Sequence, residues 1–109
     1  MKPRLLDWEV WTLHLAFAEA EAASQVSFYS PSADAVDAIC EYTEVNEGVL
    51  ALDLILAAAT PAVPALLRER AYQVATLYSP EEPEAEVKAY VDGWLAWSLG
   101  SGTEPPHWT

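Results

Sequence analysis

Apolar positions recur at helical spacing along most of the chain. Leu6, Val10, Leu13 and Phe17 follow one another at steps of four, three and four, and Trp11, Leu15, Ala18 and Ala22 form a second, adjoining stripe. Glu9, Glu19 and Glu21 fall off the first stripe, so an amphipathic helix is predicted from about residue 7, with Asp7 as its cap, to residue 24. Ser30-Pro31 reads as an N-cap and a proline in the first helical position. It opens a second helix that runs to about residue 43, with Val36, Ile39, Cys40 and Thr43 turned to the core. A short break at 44–46 follows, with Asn46 as cap for a third helix over 47–59. That helix is apolar nearly all round: Val49, Leu50, Leu52, Leu54, Ile55 and Leu56 leave Asp53 as its only interior charge. A helix with two apolar faces packs neighbours on both sides, which predicts a central position for it. A buried strand over 49–56 is the competing reading; length and the alanines at 57–59 favour helix.

Thr60-Pro61-Ala62-Val63-Pro64 ends the third helix and opens a fourth, which reaches about residue 78 on a stripe of Val63, Leu66 or Leu67, Arg70 or Ala71, Val74, and Leu77 or Tyr78. Ser79-Pro80-Glu81-Glu82 matches an N-cap, a proline and a capping-box glutamate, with Pro83 leaving the start of the fifth helix open by a turn. Val87, Tyr90, Val91, Trp94 and Leu95 line its inner face, and it ends before Gly100. No segment alternates with the period of a solvated sheet. The prediction is an all-α fold: a single compact bundle of about five helices over 1–99, with 100–109 as a C-terminal tail.

Composition sharpens this picture mainly through charge. With 109 residues, 52% of them apolar and five Trp among them, the chain has enough to bury a core as one domain. Against that stand 17 acidic and only 5 basic side chains, a formal net charge of −12. Gripping nucleic acid requires clustered Lys and Arg, and an anionic membrane surface attracts the same residues, so both are disfavoured as ligands. A basic protein is the partner class that remains. Cys40 is the sole cysteine, which leaves no intramolecular disulfide and fits a reducing, cytoplasmic setting. Asp7 and Glu9 interrupt the N-terminal region where a secretory signal would be apolar, and the uncharged run at 54–67 is too short to span a bilayer.

Residues for catalysis are scarce. His14 and His107 are the two histidines, and neither is spaced to activate Cys40 or a serine; His14 reads as a side chain at the edge of a helix face, Cys40 as a small buried hydrophobe. No Cys pair or His-x-x-x-His is present, so no metal site, cofactor or enzyme activity is expected. Glu81, Glu82, Glu84 and Glu86 crowd a helix start, where the helix dipole favours carboxylates.

The layout of the acidic residues is more informative than their number. Between Arg4 and Arg68 there is no lysine or arginine, while ten acidic residues occur. Within the second helix Asp34, Asp37, Glu41 and Glu44 are spaced three, four and three apart, which puts all four carboxylates on one face. This is either the solvated face of an amphipathic helix or a face that binds a cationic macromolecule. Ordinary solvated faces mix both signs, and this one does not. Tyr42 and Tyr29, beside the row, could anchor an interface or belong to the core. Asp53 is expected either to pair with Arg68 or Arg70 or to emerge at the surface.

The stretch Glu41-Tyr42-Thr43-Glu44-Val45-Asn46-Glu47-Gly48-Val49-Leu50-Ala51-Leu52-Asp53-Leu54-Ile55-Leu56 resembles the helical bacterial toxin-immunity proteins of the colicin D immunity and MafI-like type. In those families a helix ends in an acidic-aromatic turn, and an acidic residue and Gly then lead into a Leu-Ala-Leu-acidic-Leu helix. The resemblance spans residues 34–78, and the Trp8/Trp11 and Trp94/Trp97 helices have no counterpart in it. It implies an inhibitor that binds a cognate toxin, often a tRNA-cleaving nuclease, and shields its basic active site. From the charge layout, the partner-binding residues are expected to be Asp34, Asp37, Glu41, Tyr42, Glu44 and Glu47. Rival readings are a phage-encoded inhibitor of the anti-CRISPR kind that mimics nucleic acid, an antitoxin or chaperone that binds through exposed Trp94, Trp97 and Trp108, and a small-ligand site lined by Trp8, Trp11 and Trp94.

Overall fold

A computed structural model describes the backbone of residues 5–97 and the side chains of residues 8–97. Its elements are α1 (Leu5–Ala23), α2 (Ala33–Glu44), α3 (Gly48–Ala57), α4 (Ala65–Tyr78) and α5 (Glu84–Trp97). The all-α bundle of about five helices is therefore the fold. Among the described residues the only strand-like feature is an isolated antiparallel bridge between Tyr29 and Ala59. The expected tail at 100–109, with His107 and Trp108, lies outside the described residues.

The first stripe of α1 is the one that folds the chain. Val10, Leu13 and Phe17 are completely buried, and Phe17 meets Phe28 and Tyr29 edge-on with ring centroids 6.4 and 5.3 Å away. Each large apolar side chain buried this way contributes roughly 1.5–3 kcal/mol. The second stripe largely stays outside: Leu15 is 49% exposed, Ala18 and Ala22 are exposed, and only Trp11 packs inward. α1 begins by Leu5, so Asp7 is inside the helix instead of capping it.

α3 packs against α1, α2 and α5, and α1 packs against α2, α3 and α4. α3 thus takes the central position that its two apolar faces predict, and α1 shares it. Ala51, Leu52, Ile55 and Leu56 fill the interior between them. The segment linking α1 to α2 is stitched to the end of α3. Besides the bridge, Ser30 N–H donates to the Ala58 carbonyl at 2.9 Å and Thr60 N–H to the Phe28 carbonyl at 2.8 Å. α5 buries Val87, Tyr90, Val91, Trp94 and Leu95, the inner face read from its spacing.

Helix starts move from their predicted positions for local reasons. Ser32, not Ser30, caps α2: its hydroxyl accepts from Ala35 N–H at 3.0 Å, and the helix begins at Ala33 beyond Pro31. Asn46 does not cap α3 but closes α2, standing in the left-handed region at φ 64°. Glu47 N–H reaches back to the Tyr42 carbonyl at 2.8 Å, the long bond of a Schellman turn, with Asn as the side chain that best tolerates that backbone after glycine. Ser79 ends α4, and α5 starts at Glu84 after Pro83. Pro64 immediately precedes α4, so Val63 is buried from the loop and not from the helix.

Candidate protein-binding face

α2 turns Ile39 and Thr43 into the core and leaves its opposite side to solvent. Asp34, Asp37, Glu41 and Glu44 are all exposed there, as the three-four-three spacing requires, and Glu47 extends the row into the turn before α3. Val36 and Cys40, expected in the core, are half-buried at its margin. The Cys40 thiol donates to Glu44 Oε1 at 3.6 Å, and partial desolvation, followed by the charge of Glu44, pushes its pKa up. A thiol held protonated in this way is a poor nucleophile.

No described lysine or arginine pairs with the row. Among the described residues the cation pairs are Arg68 with Asp92 at 3.7 Å and Lys88 with Glu84 at 2.9 Å, both on α4 and α5. Arg70 donates to Thr12 Oγ1 at 3.3 Å. The three described cations are thus engaged elsewhere, and the potential over α2 is left uncompensated by them.

Of the two tyrosines proposed as anchors, Tyr29 is a core residue and Tyr42 is half-buried against the core. Sequence reasoning missed two neighbours of the row, Val45 and Leu50, which stand exposed on either side of the α2–α3 turn. A signal was available: Leu50 lies on a helix with more apolar faces than its packing uses.

The other candidates come out differently from their sequence readings. His14 is not at a helix edge but 95% buried, with Nδ1 2.7 Å from the Tyr29 hydroxyl and the Trp11 ring 5.0 Å away. Burial holds its pKa below the ordinary imidazole value and pushes that of Tyr29 up. Asp53 neither pairs with an arginine nor lies free at the surface. It is half-buried and accepts a hydrogen bond from the Tyr90 hydroxyl, with its pKa raised by desolvation. Trp94 is buried and meets Trp97 edge-on, centroids 5.2 Å apart, which removes Trp94 from the set of exposed tryptophans. Trp8 is half-exposed on α1, while Trp94 is buried on α5. An open cleft of about 280 Å³ lies instead between α4 and α5, where Lys88 sits 5.5 Å over the Tyr72 ring among Glu69, Glu82 and Glu84. Among the described residues no three metal-ligating side chains converge, and no helix is long and apolar enough to cross a membrane.

Compared with protein-family models, curated proteins and solved structures, the chain finds no match in any of the three.

Proposed function

We propose that this protein is an inhibitor of the immunity type, which binds a basic bacterial toxin through the acidic face of α2 and blocks its active site without catalysing a reaction itself. The observation that carries the reading is the one-sided row of Asp34, Asp37, Glu41 and Glu44, exposed on the side of α2 opposite Ile39. Like charges at these spacings cost roughly 0.2–0.5 kcal/mol per pair in an isolated helix. A sequence that accepts this cost without interleaving a lysine gains from it elsewhere, and recognition of a cationic surface is such a gain.

A nuclease is the favoured target class. An enzyme that holds RNA or DNA presents Lys and Arg in its substrate groove, and a row of carboxylates at helical spacing can occupy that groove as phosphates would. Long-range attraction raises the encounter rate, toward about 10⁸–10⁹ M⁻¹s⁻¹ at low salt. Fast capture suits a protein that must neutralise a toxin before it acts. The resemblance over residues 34–78 to the colicin D immunity and MafI-like type supports a tRNA-cleaving nuclease in particular.

The test is affinity capture. The immobilised chain should retain a basic protein that high salt releases, and the D34N/D37N/E41Q/E44Q variant should retain much less of it. Sequencing the captured protein then separates a toxin from a nucleic-acid-binding defence complex, the target a phage-encoded inhibitor would have. Equal retention of the same protein by the neutralised variant would refute the acidic face as the binding surface.

A further inference from the structure

Two large apolar side chains stand in the open beside the acidic row. Val45, at the C-cap of α2, is 53% exposed, and Leu50, in the first turn of α3, is 44% exposed. Single exposed aliphatics are ordinary on protein surfaces. These two differ in their setting, because they flank one short turn whose other members include Glu44 and Glu47. The backbone between them is fixed by the Glu47 N–H bond to Tyr42, the left-handed Asn46 and the 3.1 Å bond from Leu50 N–H to the Glu47 carbonyl. Tyr42, three residues before Val45, and Leu54, four after Leu50, are half-buried and continue the apolar surface along each helix.

Resting on the proposed acidic-face reading, we infer that the α2–α3 turn is the apolar anchor of the interface, and that its occupant is a cationic protein surface carrying aliphatic or aromatic side chains among its lysines and arginines. Charge complementarity selects this occupant. A second copy of the chain would bring two acidic rows together, and a net charge of −12 opposes that association. An anionic membrane is repelled in the same way. Interface energy concentrates in a few desolvated apolar contacts while charged rims govern encounter and orientation. Val45 and Leu50 are placed for the first role, and Glu41, Glu44 and Glu47 for the second. A preformed turn also lowers the ordering cost of binding.

Two synthetic peptides of equal charge provide the probes: an oligolysine, and a longer amphipathic helix that carries the same number of lysines with Leu interleaved at helical spacing. Fluorescence anisotropy with the full chain should give at least about tenfold tighter binding of the amphipathic peptide, the margin expected of an apolar anchor. V45S/L50S should erase that margin and leave oligolysine binding unchanged; both side chains are exposed, and circular dichroism checks that the helices persist. L15S, which removes an exposed leucine on α1, should leave the margin intact. The anchor is overturned if V45S/L50S keeps the margin, if L15S removes it, or if sedimentation shows the chain self-associating through Val45 and Leu50. Failure of the underlying reading looks different: D34N/D37N/E41Q/E44Q would then bind oligolysine as well as the parent does.

Discussion

His14 Nδ1 lies 2.7 Å from the hydroxyl of Tyr29, and this contact joins the longest helix to the segment that carries the chain into the acidic helix. Both side chains are buried, and Trp11 covers the imidazole ring from the preceding turn of α1. Tyr29 in turn bridges to Ala59 at the end of α3. One polar contact inside an apolar interior therefore ties the segment that leads into α2 to α1.

Removing one partner of this contact leaves the other buried and unpaired. Tyr29→Phe should destabilise the fold by about 1–3 kcal/mol, seen as a lower midpoint in urea with little change in slope.

The same contact makes stability depend on pH. Burial depresses the folded-state pKa of His14 below its ordinary 6.5, so the unfolded chain takes up the proton first as pH falls. Stability attributable to His14 is present above about 6.5 and declines below it, until the folded state is protonated as well. Urea titrations across this window should show the decline, and His14→Phe should flatten it.

Glu21 organises the same segment from the other side. Its Oε1 accepts from Phe28 N–H at 2.8 Å and Tyr29 N–H at 3.0 Å, and its Oε2 from the Ser27 hydroxyl at 2.9 Å. The bond from Phe28 is the main cause of a pKa below the ordinary carboxylate value. Its contribution is therefore present above the unfolded value and lost as pH falls through the folded one. Glu21→Ala should speed hydrogen exchange at the Phe28 and Tyr29 amides and lower Tm, while Glu21→Asp, one methylene shorter, should recover little.

Asp53 has the opposite sign. Desolvation raises its folded pKa, partly offset by the Tyr90 hydrogen bond, so ionisation costs stability as pH rises through the carboxylate range. Asp53→Asn keeps an acceptor for Tyr90 without the charge. It should be at least as stable as the parent at neutral pH, whereas Asp53→Leu should lose stability with the Tyr90–Asp53 hydrogen bond it removes.

Much of this was legible in the sequence, and the exceptions share a cause. Five helices, the two apolar stripes of α1 and the inner face of α5 follow from periodicity, because the spacing of apolar residues is set within one segment. The exposure of Asp34, Asp37, Glu41 and Glu44 follows from the same arithmetic. What periodicity could not tell was which of two stripes on α1 would be covered, since that depends on where α2, α3 and α4 end up. His14 and Asp53 were misplaced for the same reason: their partners, Tyr29 and Tyr90, are distant in sequence and meet them only in the fold. Cap positions at Ser30 and Asn46 moved because proline and a left-handed asparagine each admit more than one turn, and the surrounding packing chose.

The most direct test of the acidic face is the salt dependence of association with the captured basic protein, followed by stopped-flow mixing. The parent should associate fast at low salt and slow steeply as salt is added, while D34N/D37N/E41Q/E44Q should associate slowly throughout with a nearly flat dependence. Equal rates and equal salt slopes for the two proteins would contradict the account.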